Sequence, residues 1–128
     1  EDIALVGSGK PHLKAAMDAL YGCPPNVFCF GRQYAWKDKV LGDTYAFIIR
    51  PDDAAVVEAL QAALPVARLH ARLGRLEMCA WRPASEDGLA QETVFADGSR
   101  ILANLGQRPC EVEGIGELPG PGWLCRDA

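Results

Sequence analysis

The residues best suited to chemistry cluster in Phe30-Gly31-Arg32-Gln33-Tyr34-Ala35-Trp36-Lys37-Asp38. A flat aromatic ring receives the apolar face of a pyranose, while a forked guanidinium and a carboxylate bond its hydroxyls. Arg32, Tyr34, Trp36 and Asp38 are therefore carbohydrate-binding candidates, provided the segment is extended so that alternate residues share a face. The competing reading is an aromatic loop packed on the domain's own core.

Other pairings carry less. Val6-Gly7-Ser8-Gly9-Lys10 looks like a phosphate loop, but the required upstream glycine position holds Ala4, and Pro11 replaces the hydroxyl that would ligate Mg²⁺. The third glycine of a dinucleotide motif would fall on His12. His12 and His70, the two histidines, have no Cys, Asp or Glu at ligand spacing on the same helical face, so neither a metal nor a cofactor is expected. Asp52-Asp53 reads as helix-start charge rather than a paired-carboxylate site, because adjacent helical residues do not converge. Cys23, Cys29, Cys79, Cys110 and Cys125 are odd in number and irregularly spaced, which fits small buried apolar residues better than a disulfide framework. A small enzyme built on Cys29 or His70 would need a shifted thiol and a neighbouring base.

These residues must be carried by a mixed scaffold. Ile3 to Val6 reads as a short strand, and Pro11 opens a helix to Tyr21 with apolar positions at Leu13, Ala16, Met17 and Leu20, capped by Gly22. Asn26 to Phe30 reads as a buried strand and Arg32 to Asp43 as a loop. Thr44 to Ile49 fits either a strand or a first helical turn. Pro51-Asp52-Asp53 starts a helix whose stripe is Val56, Val57, Leu60, Ala63 and Leu64. Pro65 kinks or interrupts it, and Val66, Leu69, Ala71 and Leu73 continue to a cap at Gly74.

Beyond Gly74 the period changes. Leu76–Arg82, Gln91–Ala96, Arg100–Asn104, Cys110–Val112 and Trp123–Cys125 read as short antiparallel strands, with Gly114 to Gly122 as a loop. Asp97-Gly98 between apolar runs is a hairpin signal, and a type I′ turn is expected there, joining strands over Thr93–Ala96 and Arg100–Asn104. The fold class expected is α+β: a helical and strand part over residues 1–74, then an antiparallel β meander or sandwich over residues 75–128.

With 128 residues and 49% apolar content the chain can build a core. A net charge of −4 with scattered basic residues argues against nucleic acid as a partner. No apolar run is long enough to cross a bilayer and no targeting segment is visible, so a soluble protein is expected. The absence of Met at Glu1 is the sign of a processed product, a trimmed chain or a piece of something longer.

The order Thr93-Val94-Phe95-Ala96-Asp97-Gly98-Ser99-Arg100-Ile101-Leu102-Ala103-Asn104, with Leu118-Pro119-Gly120-Pro121-Gly122-Trp123-Leu124 downstream, resembles the C-terminal β-domain of large glycoside hydrolases. Leu20-Tyr21-Gly22-Cys23-Pro24-Pro25 before Asn26 to Phe30 is similar to a late strand of their catalytic barrel, and Asp52 through Leu73 to its last helix. The comparison is with the endo-α-N-acetylgalactosaminidase type. The resemblance implies a non-catalytic C-terminal portion, since the catalytic carboxylates of such enzymes lie on earlier strands, with an upstream barrel or self-association covering its apolar faces. The alternative is a stand-alone carbohydrate-binding or protein-interaction module.

Overall fold

The structure, a computed structural model, describes residues 11–27, the backbone of 32–38 and 42–48, and residues 54–128. The expected strand over Ile3–Val6, the Val6–Lys10 motif, Asp52-Asp53 and most of the Asn26–Phe30 strand lie outside the described residues. Asn26 and Val27 are irregular rather than extended, directly after the Pro24-Pro25 pair.

Helix α1 spans Pro11–Leu20, with proline at the position where a missing N–H costs nothing. Its buried residues are Ala15, Ala16, Ala19 and Leu20, whereas Met17, expected in the apolar stripe, is exposed. Alanines on this face let the partner helix approach closely. α1 ends in a Schellman motif: Gly22 takes φ of 65°, its N–H donates to the Ala19 carbonyl, and the Cys23 N–H donates to the Asp18 carbonyl.

The described residues of the segment expected to be a loop are instead paired strands. Strand β1, Arg32–Asp38, pairs antiparallel with β2, Gly42–Ile48, in a regular register from Arg32 opposite Ile48 to Asp38 opposite Gly42. The aromatic residues read as loop decoration, Tyr34 and Trp36, are also strong strand formers, and β2 supplies Tyr45 and Phe47 in the same style.

Helix α2 runs unbroken over Ala54–Leu73 with Pro65 inside it, so the expected division into two helical segments does not occur. An interior proline costs about 3 kcal/mol through its lost hydrogen bond and ring clash. Here Pro65 and Gln61, whose carbonyl loses its donor, both face water. The buried stripe Val56, Ala59, Ala62, Val66, Leu69 and Leu73 continues across the site and outweighs the defect. This stripe is rotated from the expected one: Val57, Leu60 and Leu64 are exposed. His12 meets Glu58 at 3.4 Å near the start of α2, and Ala19 and Gly22 adjoin Leu69 and Leu73 near its end, so the helices run side by side in the same direction.

After α2 come β3 (Met78–Pro83), β4 (Ala90–Phe95), β5 (Arg100–Asn104), β6 (Cys110–Val112), β7 (Gly116–Leu118) and β8 (Gly122–Arg126). β3, β4, β5 and β8 form one antiparallel sheet in that order, and β6 pairs only with β7. The fold is α+β with a meander, as expected. The additional strand β7 falls in a stretch read as loop, since three residues flanked by glycines carry too little pattern to register.

Period-two alternation divides the sheet's residues between two cores. One side gives Phe95 and Ile101 to Ala15, Ala19, Ala62, Val66, Leu69 and Leu73 of the helices, with Trp123 and Cys125 packed alongside. This core therefore joins residues from both sides of Gly74. The other side gives Ala90 and Leu102 to Val112 and Leu118 of the β6–β7 hairpin. Fully burying a Leu or Ile stabilises by about 1.5–3 kcal/mol, and Leu20, Leu73, Ile101 and Leu102 are all in that state.

The Asp97-Gly98 hairpin forms with Val94 opposite Arg100, but its turn is not type I′. Only Gly98 has positive φ, at 86°; the Gly98 N–H donates to the Phe95 carbonyl, and the Phe95 N–H donates to the Ser99 carbonyl. That is a type I turn followed by a glycine bulge. The Asp97 carboxylate accepts from both the N–H and the hydroxyl of Ser99, which holds Asp97 in the ordinary φ range.

The Thr93 hydroxyl, fully buried, donates to the Leu20 carbonyl at 2.7 Å. Thr93→Val keeps the shape but strands that carbonyl, so urea unfolding should show a loss of about 1–3 kcal/mol, while Thr93→Ser should lose less. The Ser99 backbone N–H, with its hydroxyl, holds the Asp97 carboxyl below its ordinary value of 3.8. A depressed carboxylate stabilises fully above the unfolded value and loses that contribution as pH falls through the lower folded value. Asp97→Asn should therefore flatten the acid side of the stability–pH curve measured by thermal unfolding.

Candidate carbohydrate-contact surface

Where the helix end meets the sheet, three side chains converge. Tyr21 follows the last turn of α1, Trp81 lies on edge strand β3, and Gln91 lies on β4. The Gln91 Oε1 accepts from the Trp81 Nε1–H at 3.0 Å and from the Tyr21 hydroxyl at 3.1 Å. The Gln91 Nε2 donates to the Gly88 carbonyl at 3.1 Å, so the amide is held at its other end too.

Local structure places each member. Thr93, opposite Trp81 in register, fastens the Leu20 carbonyl and thereby brings Tyr21 beside β4. The β3–β4 loop is shaped by Asp87, which accepts from the Ser85 hydroxyl at 2.6 Å and the Leu89 N–H at 3.0 Å, while the Ser85 oxygen accepts from the Ala90 N–H. The Ser85 hydroxyl, helped by the Leu89 N–H, holds the Asp87 carboxyl below the usual range. That loop presents Gly88 to Gln91.

The polar edges of both rings are thus satisfied within the protein while Trp81 remains 51% and Tyr21 43% exposed. Two oriented aromatic surfaces with an amide between them can stack on the apolar face of a sugar ring at little entropic cost.

On the opposite sheet face Glu92 is 5% exposed, the one buried acid among the described residues. Its Oε1 accepts from Arg82 Nε at 2.7 Å and faces Arg100 at 3.4 Å. Both are ion pairs across or near the strand register, and they commit this carboxylate to charge pairing.

Arg32, Tyr34, Trp36 and Asp38 occupy every second position of β1, opposite Ile48, Ala46, Thr44 and Gly42. The backbone is extended, which is the condition under which these four share a face. Their strand is described by its backbone alone, so the structure adds their register and nothing about their contacts. Tyr21, Trp81 and Gln91 were not singled out in the sequence. Tyr21 and Gln91 are separated by 70 residues, and only the helix-to-sheet packing brings them together.

Among the described residues no group of His, Cys, Asp and Glu could hold a metal ion, and no helix is long and apolar enough to cross a membrane. The four described cysteines depart from the expected burial: Cys23 and Cys79 are exposed, and Cys110 and Cys125 are partly buried, all four free, while Cys29 lies outside the described residues. Cys79 stands at the register shift between Met78 and Ala80 on the edge strand. Cys110 packs toward the β6–β7 core and Cys125 toward the helices.

No protein-family model matches the chain, and no curated protein matches it.

Burial pushes the Cys110 thiol up, and it pushes the Cys125 thiol up against the partial opposition of Arg72. Iodoacetamide at pH 8 should therefore label Cys23 and Cys79 before Cys110 and Cys125, read by peptide mass spectrometry over time.

Proposed function

We propose that this chain is the C-terminal, non-catalytic portion of a glycoside-hydrolase-like protein, and that it contributes a carbohydrate-contacting aromatic surface. The observation that carries the reading is the shared anchoring of Trp81 and Tyr21 on Gln91 with both rings left open to water. Orienting two aromatics by their polar edges spends hydrogen bonds on ring position, which suits a sugar-stacking surface better than core filling. Arg32, Tyr34, Trp36 and Asp38, extended on β1, form a second candidate contact for the same ligand class. The chain's carboxylates carry no catalytic role in this reading.

A second reading, a protein-interaction module, is favoured by the exposed stripe Val57, Leu60 and Leu64 on α2. Their spacing of three and four residues aligns them on one helical face, as expected of a surface that packs on an upstream barrel or on a second copy.

Titration with neutral oligosaccharides, followed by tryptophan fluorescence, tests the first reading. Trp81→Ala should weaken binding at least tenfold, about 1.4 kcal/mol, with the melting temperature little changed because the ring lies on an exposed edge. A response that survives Trp81→Ala but disappears in Trp36→Ala moves the contact to β1. A concentration-dependent sedimentation coefficient abolished by Leu60→Glu, without any sugar response, favours the second reading.

A further inference from the structure

The outer face of the sheet and the β6–β7 hairpin border a groove of about 1170 Å³. Its sheet wall carries Arg82, Glu92, Arg100 and Arg126, with Asp127 beside them but paired to Arg72 at 2.7 Å, and its hairpin wall carries Glu111 and Glu113. The charges on the sheet wall do not balance. Arg82 and Arg100 share one Glu92 oxygen, and Arg126 stands directly opposite Arg100 in the β5–β8 register. Like charges facing across an antiparallel pair repel. Among the described residues Arg126 makes no ion pair, and neither does Glu111 or Glu113. The fold thus leaves Arg126 unpaired on one wall and Glu111 unpaired on the other, while Glu113 acts on Arg82 across the groove without forming an ion pair with it.

A ligand complementary to both walls needs an anionic group on one side and hydrogen-bond donors on the other. A polyanion is disfavoured, because Glu86, Glu111 and Glu113 would repel its further charges. A free amino acid has suitable poles but fills little of this volume. We propose that the groove binds an acidic saccharide, its carboxylate taken by the guanidiniums of Arg100 and Arg126 and its hydroxyls donated to Glu111 and Glu113. Planar guanidiniums match a carboxylate through paired hydrogen bonds, and a carboxylate wall accepts from sugar hydroxyls. The proposal rests on the carbohydrate reading above and adds a chemical class, on the face of the sheet opposite Trp81.

Isothermal calorimetry with three probes tests it: a trisaccharide carrying a single terminal uronic acid, the same trisaccharide with that carboxyl reduced to an alcohol, and free alanine. The expected result is binding of the uronic-acid form at least tenfold tighter than the reduced form, weakened at least tenfold in Arg126→Gln and unchanged in Arg68→Gln, an exposed arginine of α2 outside the groove. Arg126 is an exposed residue of an edge strand, so its replacement leaves the fold intact, as circular dichroism should verify. Equal affinity for the charged and reduced forms, or unchanged affinity in Arg126→Gln, overturns the proposal. Alanine displacing the uronic-acid form one for one overturns the saccharide assignment. Neutral binding that depends on Trp81, with no preference for the acid, overturns the groove and leaves the aromatic surface standing; silence from both saccharides overturns both.

Discussion

The bond from the Thr93 hydroxyl to the Leu20 carbonyl is the constraint on which the layered arrangement turns. A helix leaves its last carbonyls without partners, and a buried one must be met from elsewhere. Here the partner comes from β4, an inner strand of the sheet, 73 residues away. Around this bond the Schellman turn at Gly22 sits against Phe95, where a Cβ would crowd the ring edge at 3.0 Å, so glycine both takes the positive φ and lets the helix end descend without displacing the ring. Leu20 is fully buried as a result, and Tyr21 emerges at the rim beside Gln91. Helix docking and the placement of the aromatic surface are one event.

The two faces of the sheet follow from strand alternation and have opposite chemistry. On β4, Gln91, Thr93 and Phe95 serve the helix side, and Ala90 and Glu92 serve the other. A one-residue slip would exchange these sets, placing the Glu92 carboxylate among Val66, Leu69 and Leu73. Register is therefore tied to the charge pairing of Glu92 with Arg82 as firmly as to apolar burial. The Asp97–Gly98 turn holds that register at one end, and Asn104 holds it at the other. The buried Asn104 amide donates to the Arg108 and Leu118 carbonyls, and its oxygen accepts from the Gly106 N–H.

Much of the fold was legible in the sequence because it is written locally. The strand Arg100–Asn104, the strand Cys110–Val112 and the helix starting at Pro11 each have their own punctuation in Gly, Pro and Asp. The turn type was misread because Asp-Gly serves both a two-residue and a three-residue loop, and the Ser99 contacts that decide between them depend on side-chain placement. Pro65 misled for a different reason. Its local penalty is real, but the penalty competes with a buried stripe that runs the length of α2. The site was the least legible part, because Trp81, Gln91 and Tyr21 are unremarkable singly and acquire meaning only through a contact across the whole chain. The β1 candidates had the reverse character: their alternation was visible in the sequence, while the assignment to a loop missed that aromatic residues at that spacing also spell a strand.

The β6–β7 hairpin lies between β5 and β8 in the chain, yet β5 and β8 pair with each other directly. The main sheet closes without drawing a backbone bond from the hairpin. At the hairpin's tip, a side chain added at Gly114 would meet nothing within 4 Å, whereas one added at Gly120 would strike the carbonyl of Arg108. The connection thus has a crowded neck and an open tip, so extra residues spliced at the tip would lengthen one wall of the groove without disturbing the sheet. The height of that wall can be altered here without contact with the sheet, which makes the tip the natural place to graft added residues onto this scaffold.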